Sequence, residues 1–182
     1  MSQSQPSVQL KVTIEKNSAR LQYEIRNTLD RPVYVFDRLY DMRTQKLSSD
    51  WAYIAVEGQK AIVSRQVWPL PEGLRHDSPE TPYGRLVAPD SSVNGKISLE
   101  LPLVERDPYF SLLHANAKPV PLNVTSLILR IGWGLASELR AGSAVELEGE
   151  KLVLFPYHEA ISKQRLADSD EASLMAPAVL SR

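Results

Sequence analysis

Residues able to do chemistry concentrate in three stretches of this chain, 38–51, 69–82 and 103–123. They carry Arg38, Tyr40, Asp41, Arg43 and Trp51, then Arg75, His76 and Asp77, then Arg106, Asp107, Tyr109, Phe110 and His114. Arginine offers a fork of donors and an aromatic ring offers large rigid contact area. Their interleaving is the composition enriched at protein-binding patches. On this reading Arg38, Tyr40, Arg43, Arg75, His76, Arg106, Tyr109 and Phe110 are the candidate binding residues. The plainer reading gives Trp51, Trp68 and Phe110 to the core, as pins that fasten the loops.

The signals for catalysis are thinner. His76 and His114 could meet near Asp41, Asp77 or Asp107, whereas His158 falls in a predicted helix. No two histidines have H-x-H or H-E-x-x-H spacing, the arrangements that aim two imidazoles at one ion. Serines are plentiful, yet no Gly-x-Ser-x-Gly elbow presents one as a nucleophile. Gly132-Trp133-Gly134 lacks the further glycine and helix of a dinucleotide site. Cysteine is absent, which excludes disulfides, thiolate nucleophiles and cysteine-ligated metals. Asn123-Val124-Thr125 matches a glycosylation acceptor, but no secretion signal accompanies it. The sequence therefore assigns no catalytic residue, no metal ligand and no cofactor. A small-molecule- or metal-dependent enzyme, with its site in the same three stretches, is the alternative class. It requires a deep pocket with convergent polar groups and a perturbed titrating residue.

Composition narrows the partners. Lys and Arg total 21 against 22 for Asp and Glu, a formal net charge of -1, which gives no global attraction to nucleic acid or to an anionic membrane. The 182 residues, 43% of them hydrophobic, suffice for one well-packed core. No apolar run approaches the length of a membrane span. Met1 to Pro6 is polar and lacks the basic and apolar regions of a secretory signal, so a cytoplasmic location is expected. The expected partner is a protein or peptide, and homo-oligomerisation stays open.

Those residues need a frame, and the frame is legible in the first third of the chain. Val8, Leu10, Val12 and Ile14 alternate with polar residues, and Leu21, Tyr23 and Ile25 do the same. Period-two patterning marks strands with one face buried and one wet. Pro32 to Phe36 is apolar after its proline, as in a strand buried on both faces. Asn27 to Arg31 supplies turn chemistry before it. Further strands are predicted over 51–56, 60–68, 83–88, 96–101 and 124–133. Val145 to Phe155 reads as a hairpin with Gly149-Glu150 as its two-residue turn, which would oppose Glu148 to Lys151. After Pro156, Tyr157 to Ala167 reads as a short helix with Glu159 early and Lys163 late.

Counting strands from the start, the three long connections follow the third, the fifth and the seventh. If neighbouring strands alternate in direction, all three emerge at one end of the fold, where such folds carry function. The predicted core includes Val12, Ile14, Leu21, Tyr23, Ile25, Val33, Val35, Leu99, Leu127, Leu129 and Ile131.

Leu21-x-Tyr23-x-Ile25-x-Asn27 followed by Pro32-Val33-Tyr34-Val35 resembles two consecutive strands of bacterial immunoglobulin-like domains. Ala88-Pro89-Asp90-Ser91-Ser92 is similar to a turn found mid-domain in that group. One family of this kind is the bacterial intracellular proteinase inhibitors. The inserts at 38–50 and 69–82 depart from that family's compact pattern, and no functional residue carries over.

The expected fold is all-β, an antiparallel immunoglobulin-like β-sandwich with long loops and a short C-terminal helix. Its divisions are a flexible N-terminus (1–7), the sandwich (8–156), the helix (157–167) and a mobile tail (168–182). The expected function is a non-catalytic protein- or peptide-binding module, using either the loops at one end or an open sheet edge that adds a partner strand.

Overall fold

A computed structural model describes residues 5–41, 46–48, 50–74, 83–109, 118–147 and 149–181. In chain order the strands are β1 (Ser7–Glu15), β2 (Ser18–Arg26), β3 (Val33–Asp41), β4 (Lys46–Ser48), β5 (Tyr53–Glu57), β6 (Lys60–Arg65), β7 (Tyr83–Val87), β8 (Ser92–Glu100), β9 (Leu103–Val104), β10 (Pro119–Leu135), β11 (Ala144–Leu147), β12 (Glu150–Leu154), β13 (Arg165–Asp168) and β14 (Ala172–Ser181). One described helix, α1 (Tyr157–Lys163), lies between β12 and β13.

The protein is an all-β sandwich. A small sheet, in the order β1-β2-β8, is wholly antiparallel. A larger sheet runs β11-β12-β7-β3-β10-β14-β9, with β13 and β6 also on β10, β5 on β6 and β4 on β3. Two of its pairings, β10 with β6 and β14 with β9, are parallel. The inward positions of both sheets meet in one core. Leu21, Ile25, Ile97 and Leu99 come from the small sheet, and Val33, Val35, Leu127, Leu129, Ile131 and Trp133 from the large one. A second cluster on the far side of β3 packs Phe36, Val67, Val153 and Phe155 beneath Ala160 of α1.

The alternation of β2 survives intact, with Ala19, Leu21, Tyr23 and Ile25 buried. Strand β3 is central as expected, held between β7 and β10. The Asn27 turn is also real: its side chain accepts from Leu29 N–H and donates to the carbonyls of Arg31 and Val87.

Several expectations are corrected. Ile14 is 47% exposed, because β1 is an edge strand whose far end overhangs the core. Within the segment expected to be flexible, the Gln5 carbonyl accepts from the Thr28 hydroxyl, and Ser7 already pairs with Arg26. The hairpin turns one residue earlier than expected: Leu147 faces Glu150 and Glu146 faces Lys151, leaving Gly149 at φ 80 just before β12. A glycine accepts that left-handed backbone without strain, and the shift moves Glu150 out of the expected turn into β12, opposite Leu147.

Helix α1 stops at Lys163, where Gln164 turns extended. The Gln164 side chain then brackets Val67, accepting from its N–H at 2.7 Å and donating to its carbonyl at 3.0 Å. Arg165–Asp168 continues as β13 against β10. The tail expected to be mobile is β14, paired with β10 from Leu127↔Ala172 to Pro119↔Ser181. Leu174, Ala176 and Ala178 are buried there. Small alanines and Pro177 hide a period of two that is nonetheless present.

The three long connections do not share one end by the expected parity. Residues 38–41 belong to β3, and β4 is an extra strand inside the first connection. Strand β3 runs antiparallel to β10 while β6 runs parallel to it. The chain therefore leaves β3 and β6 in opposite directions. Residues His76 and His114 lie outside the described residues.

Candidate functional site

Period-two geometry puts charged residues on the inward faces of three strands and a tyrosine on that of a fourth. Asp37 follows Val33 and Val35 on one face of β3, and Arg65 follows Ala61 and Val63 on β6. Arg85 shares its face with Val87 on β7, and Tyr23 lies between Leu21 and Ile25 on β2. A β-bulge between Phe36 and Arg38 turns Arg38 toward the same point. Glu150 reaches it from the start of β12.

Asp37 is the hub, with no exposed surface. Arg85 Nε donates to its Oδ1 at 3.0 Å, and Arg85 Nη2 donates to Oδ2. Arg38 Nη1 donates to Oδ2 at 3.0 Å and to the Asp37 carbonyl at 3.1 Å. The Tyr23 hydroxyl donates to Oδ2 at 3.1 Å and accepts from Arg65 Nη1 at 2.6 Å. Glu150 receives Arg38 Nη2 at 2.8 Å and Arg85 Nη1 at 2.7 Å. Arg65 Nη2 and Arg85 Nη2 also donate to the carbonyls of Lys96 and Asn94 on β8. Those bonds stitch the edge of the small sheet to the large one. They also occupy acceptors that a free edge strand would offer to other chains.

Three guanidiniums thus face two carboxylates, a formal excess of one positive charge. Burial is the largest influence on Tyr23 and, with Asp37, pushes its pKa up to about 12 against the pull of Arg65. Burial likewise lowers Arg65 from its ordinary value, offset in part by Tyr23 and Asp37. At Arg38 burial also opposes the charge, but Asp37, Tyr23 and Glu150 outweigh it and leave the pKa raised.

Of the candidate residues read from the sequence, Arg38, Tyr40, Arg106 and Tyr109 are among the described residues. Arg38 is buried in the cluster rather than displayed on a loop. Tyr40 is 36% exposed on β3, opposite Leu47. Arg106 stacks on the Trp51 ring at 3.9 Å and donates from Nε to the Ala52 carbonyl, with its backbone paired to Ile54. That is the pinning role, with arginine and tryptophan tying a connection to β5. Tyr109 is buried. Arg43, Arg75, His76 and Phe110 lie outside the described residues. Sequence reading missed Tyr23, Asp37, Arg65, Arg85 and Glu150 as site residues. A charge at an inward position of an alternating strand was the available signal.

Two clefts open beside the cluster. The first, about 580 Å³, lies between β7 and the β11–β12 hairpin, lined by Tyr34, Leu86, Val93 and Val153, with Arg85 and Glu150 at one side. Strands β7 and β12 pair only at Gly84↔Val153 and Tyr83↔Leu154, and the cleft begins where they part. The second, about 620 Å³, is lined by Lys11, Tyr23, Glu24, Arg38, Gly95 and Lys96 among others. Among the described residues no group of His, Asp and Glu could hold a metal ion. Nor is any helix long and apolar enough to cross a membrane. No protein-family model, no curated protein and no solved structure matches the chain.

Proposed function

We propose that the protein is a non-catalytic binding module that takes an extended peptide strand into the cleft between β7 and the β11–β12 hairpin. The observation that carries this reading is the early parting of β7 and β12. Beyond Gly84↔Val153, Arg85 and Leu86 on one strand and Glu150 and Lys151 on the other border the cleft, and no described strand pairs with Arg85–Val87 or Glu150–Leu152 on that side. An incoming strand would complete main-chain hydrogen bonds there, the usual source of affinity when a peptide is added to a sheet edge. Leu86, 55% exposed, together with Tyr34, Val93 and Val153, offers apolar contact to alternate side chains of the guest. Lys151 and the Arg85–Glu150 pair give the cleft a polar side that sets direction. A cytoplasmic partner protein is part of this proposal.

The test is selection of peptides from a random library on the full chain, followed by the Leu86→Glu variant. Selected peptides should lose at least tenfold in affinity against the variant. They should also slow amide exchange at 85–87 and 150–152. Peptides that bind Leu86→Glu equally well, or a library that yields no binder, would overturn the reading.

A further inference from the structure

We propose that a small oxyanion, phosphate or carboxylate in chemistry, binds in the second cleft against Arg38, with Lys11 and Lys96 at its mouth. Arg38 is the least satisfied of the three clustered guanidiniums. Its Nη1 and Nη2 serve Asp37 and Glu150, while its Nε is buried with no hydrogen-bond partner among the described residues. A buried donor left unpaired costs free energy that a ligand can restore. Arg38 is itself 4% exposed and lines the cleft, so a guanidinium fixed by Asp37 and Glu150, rather than a mobile surface group, forms part of its wall.

Charge points the same way. Counting the cluster and the cleft together, Arg38, Arg65, Arg85, Lys11 and Lys96 stand against Asp37, Glu150 and Glu24, five cations to three carboxylates. An excess of positive charge beside a low-dielectric interior favours a bound anion. The fork of a guanidinium matches the oxygens of phosphate and carboxylate better than it matches a spherical halide. The site is independent of the peptide cleft and stands whether or not that cleft takes a strand.

The experiment is a titration of the isotope-labelled full chain with inorganic phosphate and, separately, with acetate, at constant ionic strength with chloride as reference. Saturable shifts of the Gly95 and Lys96 amides are expected with at least one of the two. The phosphate and acetate arms then say which source of oxygens the site prefers. The Lys11→Gln, Lys96→Gln double variant, altered only at exposed positions, should bind roughly tenfold more weakly, whereas Lys151→Gln should bind as the parent does. Arg38→Gln should abolish the shifts if it folds; the lysine variant keeps the test decisive if it does not. Absence of saturable shifts with both anions, or undiminished binding by the double variant, would overturn the proposal.

Discussion

Arg85 meets Asp37 side-on, donating Nε to Oδ1 and Nη2 to Oδ2, so that one guanidinium edge covers one carboxylate. Such a bidentate pair fixes geometry as well as charge. Because Arg38 and Tyr23 share the same Oδ2, Asp37 is the anion that makes burial of its neighbours tolerable. Asp37→Ala would leave Arg38 and Arg85 with Glu150, which sits at the rim with a 37% exposed side chain. A loss of about 3–5 kcal/mol in urea unfolding is expected, the range for breaking a buried ion pair from one side. A loss below about 1 kcal/mol would mean that water or Glu150 already carries the charge.

Tyr23 makes the same cluster sensitive to alkali. Its folded pKa of about 12 lies above the ordinary 10.0, so the folded state holds its proton more tightly than the unfolded chain. That contribution is complete below pH 10 and is lost as pH rises from about 10 to 12. Two pH units correspond to roughly 2–3 kcal/mol. Stability measured in urea should fall across that window by more in the parent than in Tyr23→Phe, and the difference in ultraviolet absorbance between the two should place ionisation of the Tyr23 phenol near pH 12.

Gly95 shows why part of the frame was hidden in the sequence. It occupies an inward position of β8, between Val93 and Ile97, where an apolar residue would have extended the visible alternation. Sequence reading therefore began that strand at Lys96. In the fold, a Cβ on Gly95 would fall 2.1 Å from the Tyr23 hydroxyl oxygen and 2.2 Å from its ring, so the absent side chain is what admits the tyrosine. Gly95→Ala should cost about 1–3 kcal/mol through overpacking, read as a lower urea midpoint with an unchanged slope.

What the sequence made plain was whatever a period of two spells in large apolar letters: β1, β2, the centre of β3 and the middle of β10. The charged cluster was legible only in principle. Val33-x-Val35-x-Asp37 and Ala61-x-Val63-x-Arg65 both continue an inward face into a charge, yet a charge after an apolar run reads first as a strand end. The three residues of β4 were too few to register, and one uncounted strand reversed the parity that had gathered the loops. Tertiary partners, not local pattern, decided each of these positions.

Two isoleucine and leucine positions separate core from overhang. Leu129 is fully buried on β10, whereas Ile14 is 47% exposed at the end of β1. Leu129→Ala should destabilise by about 2–5 kcal/mol, and Ile14→Ala should stay within roughly 1 kcal/mol. Equal effects at the two sites would show that the end of β1 is packed in solution.

Removal of residues 169–182 should unfold the protein. Strand β14 covers one edge of β10 from Pro119 to Leu127, and Leu174, Ala176 and Ala178 fill core positions that no other described strand occupies. Just upstream, Ser169 closes a two-way clasp on Leu129: its hydroxyl accepts from Leu129 N–H at 3.0 Å, and its own N–H donates to the Leu129 carbonyl at 2.9 Å. Truncation would expose that edge together with Val124 and Leu127, both buried beneath it, and an open apolar edge is a template for aggregation. The shortened chain should therefore be recovered in inclusion bodies, or lose its cooperative thermal transition if soluble. A milder variant isolates the packing contribution: Leu174→Ala keeps the strand but leaves a cavity, and should cost about 2–5 kcal/mol. A truncated chain that melts cooperatively at the parent temperature would show that β10 is stable without its neighbour.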